Sequence, residues 1–384
     1  MTIKVSRRAD VAPFYAMEIL REANARAATG ADVRHLEAGE PSTGAPARVR
    51  EAALAAMEGA HLGYTEALGL PALRERIAAH YRDYYGQSVP AERIVITTGS
   101  SGGLLLTFLA AFDAGDRIAL ADPGYPAYRN MIQALDLVPV GLPSTIETRY
   151  QPTVAMLEAL DEPVDGLILA SPANPTGTML HADEIADLAA YCDGAGIRIV
   201  SDEVYHGITY GRRADTVLAA SETAVIANGF SKYYAMTGWR LGWMVFPEDL
   251  VRPVERLAQN LFVSPPAMAQ HAALEAFACV DELDANVSRY RENRATLEAA
   301  LAKAGFGPVS PAEGAFYLYV DVTPLTNDSE AFCHRMLAEA GVAATPGIDF
   351  DDSRGSGFVR FSYAGATDDI NAAAESIVNW LADD

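Results

Sequence analysis

The chain has 384 residues, half of them apolar, and a formal net charge of −22. Such a length suits two domains, and the acidic balance opposes nucleic acids and anionic membranes as partners. No apolar run reaches membrane-spanning length and the N-terminus lacks an apolar signal segment, so we expect a cytoplasmic protein.

The apolar pattern predicts an N-terminal helix over 11–28 and then, from about residue 93, strands that alternate with helices. The predicted strands lie at 93–98, 116–122, 165–171, 197–203, 224–230 and 240–246. Amphipathic helical segments follow the first three strands, at 102–112, 127–136 and 181–196. Short apolar strands separated by helices indicate a mostly parallel sheet that is covered on both faces.

A long charged helix predicted over 281–304 leads to a second region. That region contains predicted strands at 314–322 and 356–364 and predicted helices at 329–340 and 367–382. We expect the first 40 residues to pack with it. The predicted large domain is therefore 41–280, and the predicted small domain combines 1–40 with 281–384.

Polar residues follow four of the predicted strands, at the edge where ligands collect in open α/β sheets. The four segments are "TTGSSGG" (97–103), "SPANPTG" (171–177), "SDEVYHGITYG" (201–211) and "FSKYYAMTGWRLGW" (230–243). The first joins a strand to a helix N-terminus, which favours an anion, although a plain tight turn explains it equally well. Arg240 suits a phosphate clamp or, with similar odds, a surface salt bridge.

The other three segments each contain a residue with more than one explanation. Asp202 either caps the next helix or pairs with a protonated ring nitrogen, and Tyr205 forms a polar edge with it. Asn174 fits a turn as well as a ligand contact. Lys232 is one of three lysines in a chain with 26 arginines, and it lies among apolar and aromatic residues. Together these residues describe a ligand with a phosphate, a phenolic oxygen, a cationic ring nitrogen and an electrophile for an amine, which is pyridoxal 5′-phosphate.

In this order and spacing, the segments resemble the class I and II aminotransferases of the aspartate aminotransferase superfamily, which have fold type I of the pyridoxal-phosphate-dependent enzymes. The resemblance begins at "LEAGEP" (36–41), includes "YTEALGLPALRERIA" (64–78) and ends at "FVRFSYA" (358–364). It implies an α/β fold with a large domain around a mostly parallel seven-stranded sheet, and a smaller α+β domain. The implied activity is ping-pong transfer of the α-amino group of an L-amino acid to a 2-oxo acid.

The resemblance also implies roles for matching residues. Lys232 would form the Schiff base and move the proton, Asp202 would keep the ring nitrogen protonated, and Tyr205 would bond the phenolic oxygen together with Asn174. Tyr125 would stack on the ring. For the phosphate, the resemblance implies Gly99, Ser100, Ser101, Ser231 and Arg240. For the substrate carboxylate, it implies Arg360, Gly39 and Asn174.

Tyr64 resembles a tyrosine that reaches the phosphate in the partner subunit, which implies a homodimer. Two positions depart from the family pattern. Gly229 stands where many relatives carry a serine, with Ser231 as a possible substitute. Asp349 is expected at the surface, the alternative being an influence on the mouth of the pocket.

The remaining titratable residues give weaker signals. Cys192, Cys279 and Cys333 suit buried thiols, His206 is expected to be structural, and we predict no metal site. Phe14 and Tyr15 are candidates for substrate specificity, since the N-terminal segment closes over the substrate in this family. A second arginine for an acidic substrate is not distinguished among Arg21, Arg26, Arg34 and Arg289.

Three alternatives to transamination remain open at this stage. The nearest is an elimination on the same scaffold, such as a C–S β-lyase. A pyridoxal-phosphate-dependent regulator is disfavoured, since the charge opposes DNA and no room for a DNA-binding module precedes residue 36. A binding protein without activity is disfavoured because the lysine, the aspartate and both arginines are present.

Overall fold

The computed structural model describes residues 3–59 and 61–382. Within these residues there are twelve strands and twelve α-helices. The strands are β1 (Arg34–His35), β2 (Ile94–Thr97), β3 (Arg117–Asp122), β4 (Val138–Pro143), β5 (Gly166–Ala170), β6 (Arg198–Asp202), β7 (Val225–Gly229), β8 (Gly242–Val245), β9 (Tyr317–Asp321), β10 (Val342–Ala343), β11 (Thr345–Pro346) and β12 (Phe358–Ser362). The helices are α1 (Tyr15–Ala28), α2 (Ala47–Gly59), α3 (Pro71–His80), α4 (Gly99–Ala111), α5 (Pro126–Ala134), α6 (Val154–Glu158), α7 (Ala182–Ala195), α8 (Glu248–Leu261), α9 (Ala267–Ala273), α10 (Val280–Lys303), α11 (Ser329–Arg335) and α12 (Thr367–Ala382).

Seven strands form one twisted sheet in the order β2-β8-β7-β6-β5-β3-β4. β8 runs antiparallel to both of its neighbours, and the other neighbouring pairs are parallel. The predicted mostly parallel seven-stranded α/β sheet is therefore confirmed. The carboxyl ends of β5, β6 and β7 meet at one edge, which brings three of the four polar segments together.

The central strands are apolar on both faces because both faces are covered. Along β6, Ile199 packs into the core on one side of the sheet and Val200 into the core on the other. Along β5, Leu167 and Ile168 divide in the same way. Side chains alternate between the two faces of a strand, so continuous apolar runs result.

Smaller sheets assemble near the two termini. β11, β12 and β9 form an antiparallel sheet, and β1 pairs in parallel with β10. One apolar core joins Ile19 and Leu36 from the N-terminal part with Leu318, Phe361 and Ile377 from the C-terminal part. The division of the chain at residues 41 and 281 stays a prediction, which this shared core supports.

Several predicted elements differ from the observed ones for identifiable reasons. β4 was not among the predicted strands, because its sequence "VPVGLP" contains two prolines and a glycine, which an edge strand tolerates. β8 begins at Gly242, two residues later than predicted, since Arg240 adopts a left-handed conformation with φ of 51°. α1 begins at Tyr15 instead of residue 11. Among the described helices, none is long and apolar enough to cross a membrane.

Candidate active site

A cavity of about 380 Å³ lies at the carboxyl edge of the large sheet. Most of the predicted site residues line it, namely Gly39, Ser100, Ser101, Tyr125, Asn174, Asp202, Tyr205, Lys232, Arg240 and Arg360. Three predicted residues, Gly99, Ser231 and Tyr64, are not part of its lining. The residues come from seven separate parts of the chain, so the fold and not local sequence assembles the site.

Lys232 follows β7 and is half-buried, with its amine in the cavity. Its Nζ donates a hydrogen bond to the carbonyl oxygen of Gly39 at 2.5 Å and lies 5.7 Å from the centre of the Tyr205 ring. Burial, and then the positive charge of Arg360, lowers the pKa of the Lys232 ammonium to about 8. A substantial fraction of this amine is therefore neutral near pH 7, as a nucleophile or a proton carrier requires.

Asp202 is the last residue of β6 and is buried. Its Oδ2 accepts a hydrogen bond from the Tyr128 hydroxyl at 2.6 Å, and its Oδ1 accepts one from the backbone N–H of Val204 at 3.1 Å. Burial raises the pKa of the carboxyl, while these two bonds and the charge of Lys232 oppose the rise. Tyr128 was not among the predicted site residues. It lies three positions after Tyr125, where one helical turn brings side chains to the same face.

Tyr205 shares a hydrogen bond with Tyr317, the two hydroxyl oxygens being 2.7 Å apart. Both side chains are buried, and burial is the main cause that raises the pKa of each phenol. Tyr317 also explains why position 39 is a glycine, because a Cβ on Gly39 would lie 2.1 Å from the Tyr317 hydroxyl oxygen. Sequence analysis did not single out Tyr317, because β9 is distant from the four motifs along the chain.

Arg240 lies beside the N-terminus of α4. A Cβ on Gly99 would be 2.8 Å from Nη2 of Arg240, so the glycine lets the guanidinium approach the start of the helix. Arg240 Nη1 donates to the carbonyl oxygen of Thr237 at 3.1 Å, and no ion pair with an acidic side chain occurs in the described part of the chain. A surface salt bridge of Arg240 is therefore not observed among the described residues. A guanidinium without a carboxylate partner, next to the N-terminus of a helix, is an arrangement that attracts a phosphate.

Arg360, on β12, is 2% exposed, yet no carboxylate pairs with it among the described residues. Its Nη1 donates to Oδ1 of Asn174 at 2.9 Å, and its Nη2 donates to the carbonyl oxygen of Glu37 at 2.6 Å. The guanidinium carbon lies 4.4 Å from the centre of the Tyr317 ring and 4.8 Å from that of Phe350. A buried cation without a counter-ion favours an anionic ligand, and a carboxylate matches a guanidinium in shape.

Asp349 is 2% exposed, so the expectation of a surface position is wrong. Its two carboxylate oxygens accept hydrogen bonds from the backbone N–H groups of Tyr15 and Ala16, each at 3.1 Å. The short helical turn after β11 buries it against the start of α1. The alternative, an influence on the mouth of the pocket, fits this position.

The first turns of α1 and the residue before it form part of the cavity wall through four side chains, those of Phe14, Ala16, Met17 and Leu20. The Phe14 ring meets Tyr125 edge-on, with centroids 5.8 Å apart. Tyr15, the other N-terminal candidate for specificity, does not line the cavity. The wall contributed by α1 is therefore apolar.

None of the four candidate second arginines lines the cavity. Arg21 pairs with Glu18 and Arg34 with Asp32, while the other two bond a carbonyl and a hydroxyl oxygen, those of Ala338 and Ser42. Within the described residues, Arg240 and Arg360 are the arginines of the cavity lining.

Two further predicted residues have clear surroundings. His206 is buried, with Nε2 bonded to the carbonyl oxygen of Ser171 at 2.9 Å and Nδ1 to the Tyr85 hydroxyl at 2.8 Å, which confirms a structural histidine. At Gly229, the nearest atom to an added Cβ would be Cα of Gly242 at 3.4 Å, an ordinary contact. Packing therefore does not require a glycine at position 229.

Comparison with known proteins gives concordant results. The family model "Aminotransferase class I and II" matches residues 31–377. The valine–pyruvate aminotransferase of Mycobacterium tuberculosis is 49% identical over 385 residues, covering 99% of both chains. An aminotransferase of known structure from Mycobacterium tuberculosis superposes with a TM-score of 0.97 at 48% identity, covering 100% of both chains. The aspartate aminotransferase of Thermus thermophilus in a structure with maleate gives a TM-score of 0.91 at 30% identity, covering 98% of this chain and 100% of the other.

Proposed function

This chain belongs to the class I and II aminotransferases and transfers an amino group to a 2-oxo acid, and on that premise we propose that it does so with pyridoxal 5′-phosphate held at Lys232. The resemblance seen in the motifs is confirmed, and elimination as the main reaction is not favoured. The observation that carries the proposal is that one cavity contains both the amine of Lys232 and the unpaired guanidinium of Arg360.

The chemistry of the lining fits each group of this cofactor. The exposed guanidinium of Arg240 and the N–H groups at the start of α4 suit the phosphate, with Gly99 leaving room for the approach. The Asp202 carboxylate suits a protonated ring nitrogen, and Tyr128 helps to keep it ionised. The hydroxyl of Tyr205 suits the phenolic oxygen.

When bound, pyridoxal phosphate supplies an aldehyde that reacts with amines and a ring that accepts electrons. The chain supplies the proton transfer and the orientation. Lys232, as a neutral amine, moves a proton at the substrate Cα, because a pKa of about 8 leaves part of the amine neutral near pH 7. Arg360 fixes the substrate α-carboxylate, which sets the direction of the Cα–H bond relative to the ring.

We further propose a small or medium apolar amino acid as donor, with valine as the first candidate and pyruvate as acceptor. The relative that is 49% identical is a valine–pyruvate aminotransferase. Phe14, Met17 and Leu20 give the cavity an apolar wall, which suits a branched aliphatic side chain. The acidic donors aspartate and glutamate carry a second carboxylate. None of the four candidate arginines lines the cavity, so none of them is placed to bind that carboxylate.

A homodimer belongs to the same proposal. The side chain of Tyr64 is 87% exposed and does not line the cavity of its own chain, as expected of a residue that serves a partner. Further exposed apolar side chains lie on and near α2 and α9, two helices that pack against each other. They are Leu54 and Met57 on α2, Leu62 just after it, Val263 before α9 and Met268 on α9. An exposed apolar surface of this kind favours association.

Steady-state kinetics with a panel of donors tests the proposal. Purified enzyme with pyruvate should convert valine to its 2-oxo acid with a higher kcat/KM than aspartate or glutamate. The Lys232→Ala variant, with the cavity otherwise intact, should lose this activity. A preference for aspartate would refute the proposed substrate class. Release of pyruvate and ammonia from a cysteine conjugate, without an acceptor acid and faster than transamination, would favour the β-lyase instead.

The assembly is tested separately. Light scattering should give a mass of twice 41.0 kDa. A Tyr64→Phe variant should remain dimeric but release pyridoxal phosphate faster, since it lacks the hydroxyl that is proposed to contact the phosphate of the cofactor held by the partner subunit. A monomeric enzyme with full cofactor affinity would refute both statements.

A further inference from the structure

Asp349 is the cap of a helix that is far from it along the chain. Phe14, the residue immediately before α1, provides no side-chain hydrogen bond to the helix start. Asp349 fills that role, because its Oδ1 and Oδ2 accept from the N–H groups of Tyr15 and Ala16. The first N–H groups of a helix have no partner within it, and a carboxylate there also interacts favourably with the helix dipole.

The capped turn is the part of α1 that meets the cavity. Ala16 belongs to the cavity wall, and Phe14 and Met17 lie on either side of the two capped N–H groups. The carboxylate of Asp349 therefore bonds the turn that carries the apolar wall. Without it, the helix would start with two unpaired N–H groups in a mostly buried place, which favours unwinding of this turn.

The same segment is anchored on its other sides. Arg129, on α5, donates to the carbonyl oxygen of Asp349 at 3.3 Å and pairs with Asp352 at 3.0 Å. The next residue, Phe350, places its ring against the guanidinium of Arg360, with 4.8 Å between the ring centre and the guanidinium carbon. Asp349 therefore connects the α1 wall to the anchor of the substrate carboxylate.

We propose that Asp349 is a positioning residue that determines which substrate side chains the enzyme accepts. It holds the first turn of α1 at a fixed distance from Arg360, so that the wall of Phe14 and Met17 contacts the side chain of a donor whose α-carboxylate is bound. This inference rests on the proposed function. It goes further by assigning substrate selection to a residue that does not line the cavity.

The inference predicts a selective kinetic effect. In Asp349→Ala, the wall loses its fixed position, so a branched aliphatic donor loses contacts made in both the ground state and the transition state. The KM for valine should rise by about tenfold, while kcat should change less than about twofold, as expected for lost uniform binding. The KM for phenylalanine, a larger donor, should rise less or fall. The ratio of kcat/KM for valine to that for phenylalanine should thus decrease by about fivefold or more.

Two further variants serve as comparisons. Asp349→Asn keeps one acceptor oxygen without the charge and should give an intermediate ratio, and it also serves if the alanine variant folds poorly. Asp352→Ala is the matched control, because Asp352 lies three residues away and is exposed, and because Arg129 keeps its bond to the carbonyl oxygen of Asp349 in this variant. It should leave the ratio unchanged.

Hydrogen exchange of the holoenzyme supplies a readout independent of catalysis. In both Asp349 variants the amides of Tyr15 and Ala16 should exchange faster, while those of α10 should not change. The donor rates of the wild-type enzyme test the proposed function on their own. An unchanged donor ratio would overturn the inference even if the exchange were faster, because Asp349 would then be a cap without influence on selection. An equal change of the ratio in Asp352→Ala would overturn it as well.

Discussion

In the proposed mechanism, proton transfer depends on the protonation state of the Lys232 amine. Burial is the largest cause that lowers its pKa to about 8, followed by the positive charges of Arg360 and Arg240. An ordinary lysine has a value of 10.5. At pH 7 about one Lys232 amine in ten is then neutral, a fraction about 300 times larger than for an ordinary lysine.

The composition of the chain makes this measurable. Lys232 is one of three lysines, and the other two, Lys4 and Lys303, are exposed. Competitive labelling of the cofactor-free enzyme with acetic anhydride, followed by peptide mass spectrometry, gives the pH dependence of each lysine. Only neutral amines react, so the labelling of Lys232 should rise with a midpoint near pH 8. Lys4 and Lys303 provide internal references in the same sample.

Substitutions of the charged neighbours check the sign of each cause. Arg360→Gln removes a positive charge that disfavours the ammonium, so the midpoint for Lys232 should move to higher pH. Asp202→Asn removes a negative charge that favours the ammonium, so the midpoint should move to lower pH. Labelling of Lys232 with a midpoint above pH 10, or shifts of the opposite sign, would refute the electrostatic argument.

Two other substitutions test the cofactor site. Gly229→Ser should fold normally, because the added Cβ would meet only ordinary contacts. It should slow the release of pyridoxal phosphate about tenfold by adding a hydrogen bond to the phosphate. Gly229→Ala is the control, and equal release rates in the two variants would contradict the prediction. Tyr128→Phe removes the 2.6 Å bond to Asp202 and should raise the pKa of that carboxyl, lowering the free energy of unfolding by about 1.5–3 kcal/mol while Asp202 is ionised. Because the bond lowers the pKa of Asp202 in the fold, this loss of stability should shrink as pH falls through that pKa, and urea unfolding that shows a loss independent of pH would speak against it.

The part of the site that follows the sheet strands could be predicted from the sequence. Asp202, Asn174 and Lys232 follow strands whose apolar runs are unmistakable, and parallel strands bring their carboxyl ends to one edge. Six of the seven strands of the sheet were predictable for the same reason, and the resemblance implied the number seven. β4 was not found, since an edge strand exposed to solvent does not show a continuous apolar run.

The residues that were missed or, like Asp349, expected in the wrong place form bonds with distant parts of the chain. Tyr317 bonds Tyr205 across 112 positions, and Asp349 reaches Ala16 across 333. Nothing in the local pattern around either residue points to its partner, because burial and pairing between distant segments arise only on folding. Tyr128 is the exception: its spacing from Tyr125 placed it one helical turn away, and that signal was available.

If the start of α1 selects the substrate as proposed, the choice of substrate is separated from the chemistry. Phe14, Met17 and Leu20 belong to a turn that precedes the large sheet in sequence and contributes no strand to it, whereas Lys232 and Asp202 stand at the ends of its central strands. Substitutions in the turn change the shape offered to a donor without altering the groups that transfer the proton. Such an arrangement would let related chains differ in donor specificity while their catalytic residues stay the same. A library of variants restricted to residues 14–20 would therefore sample new donors at little risk to the reaction itself.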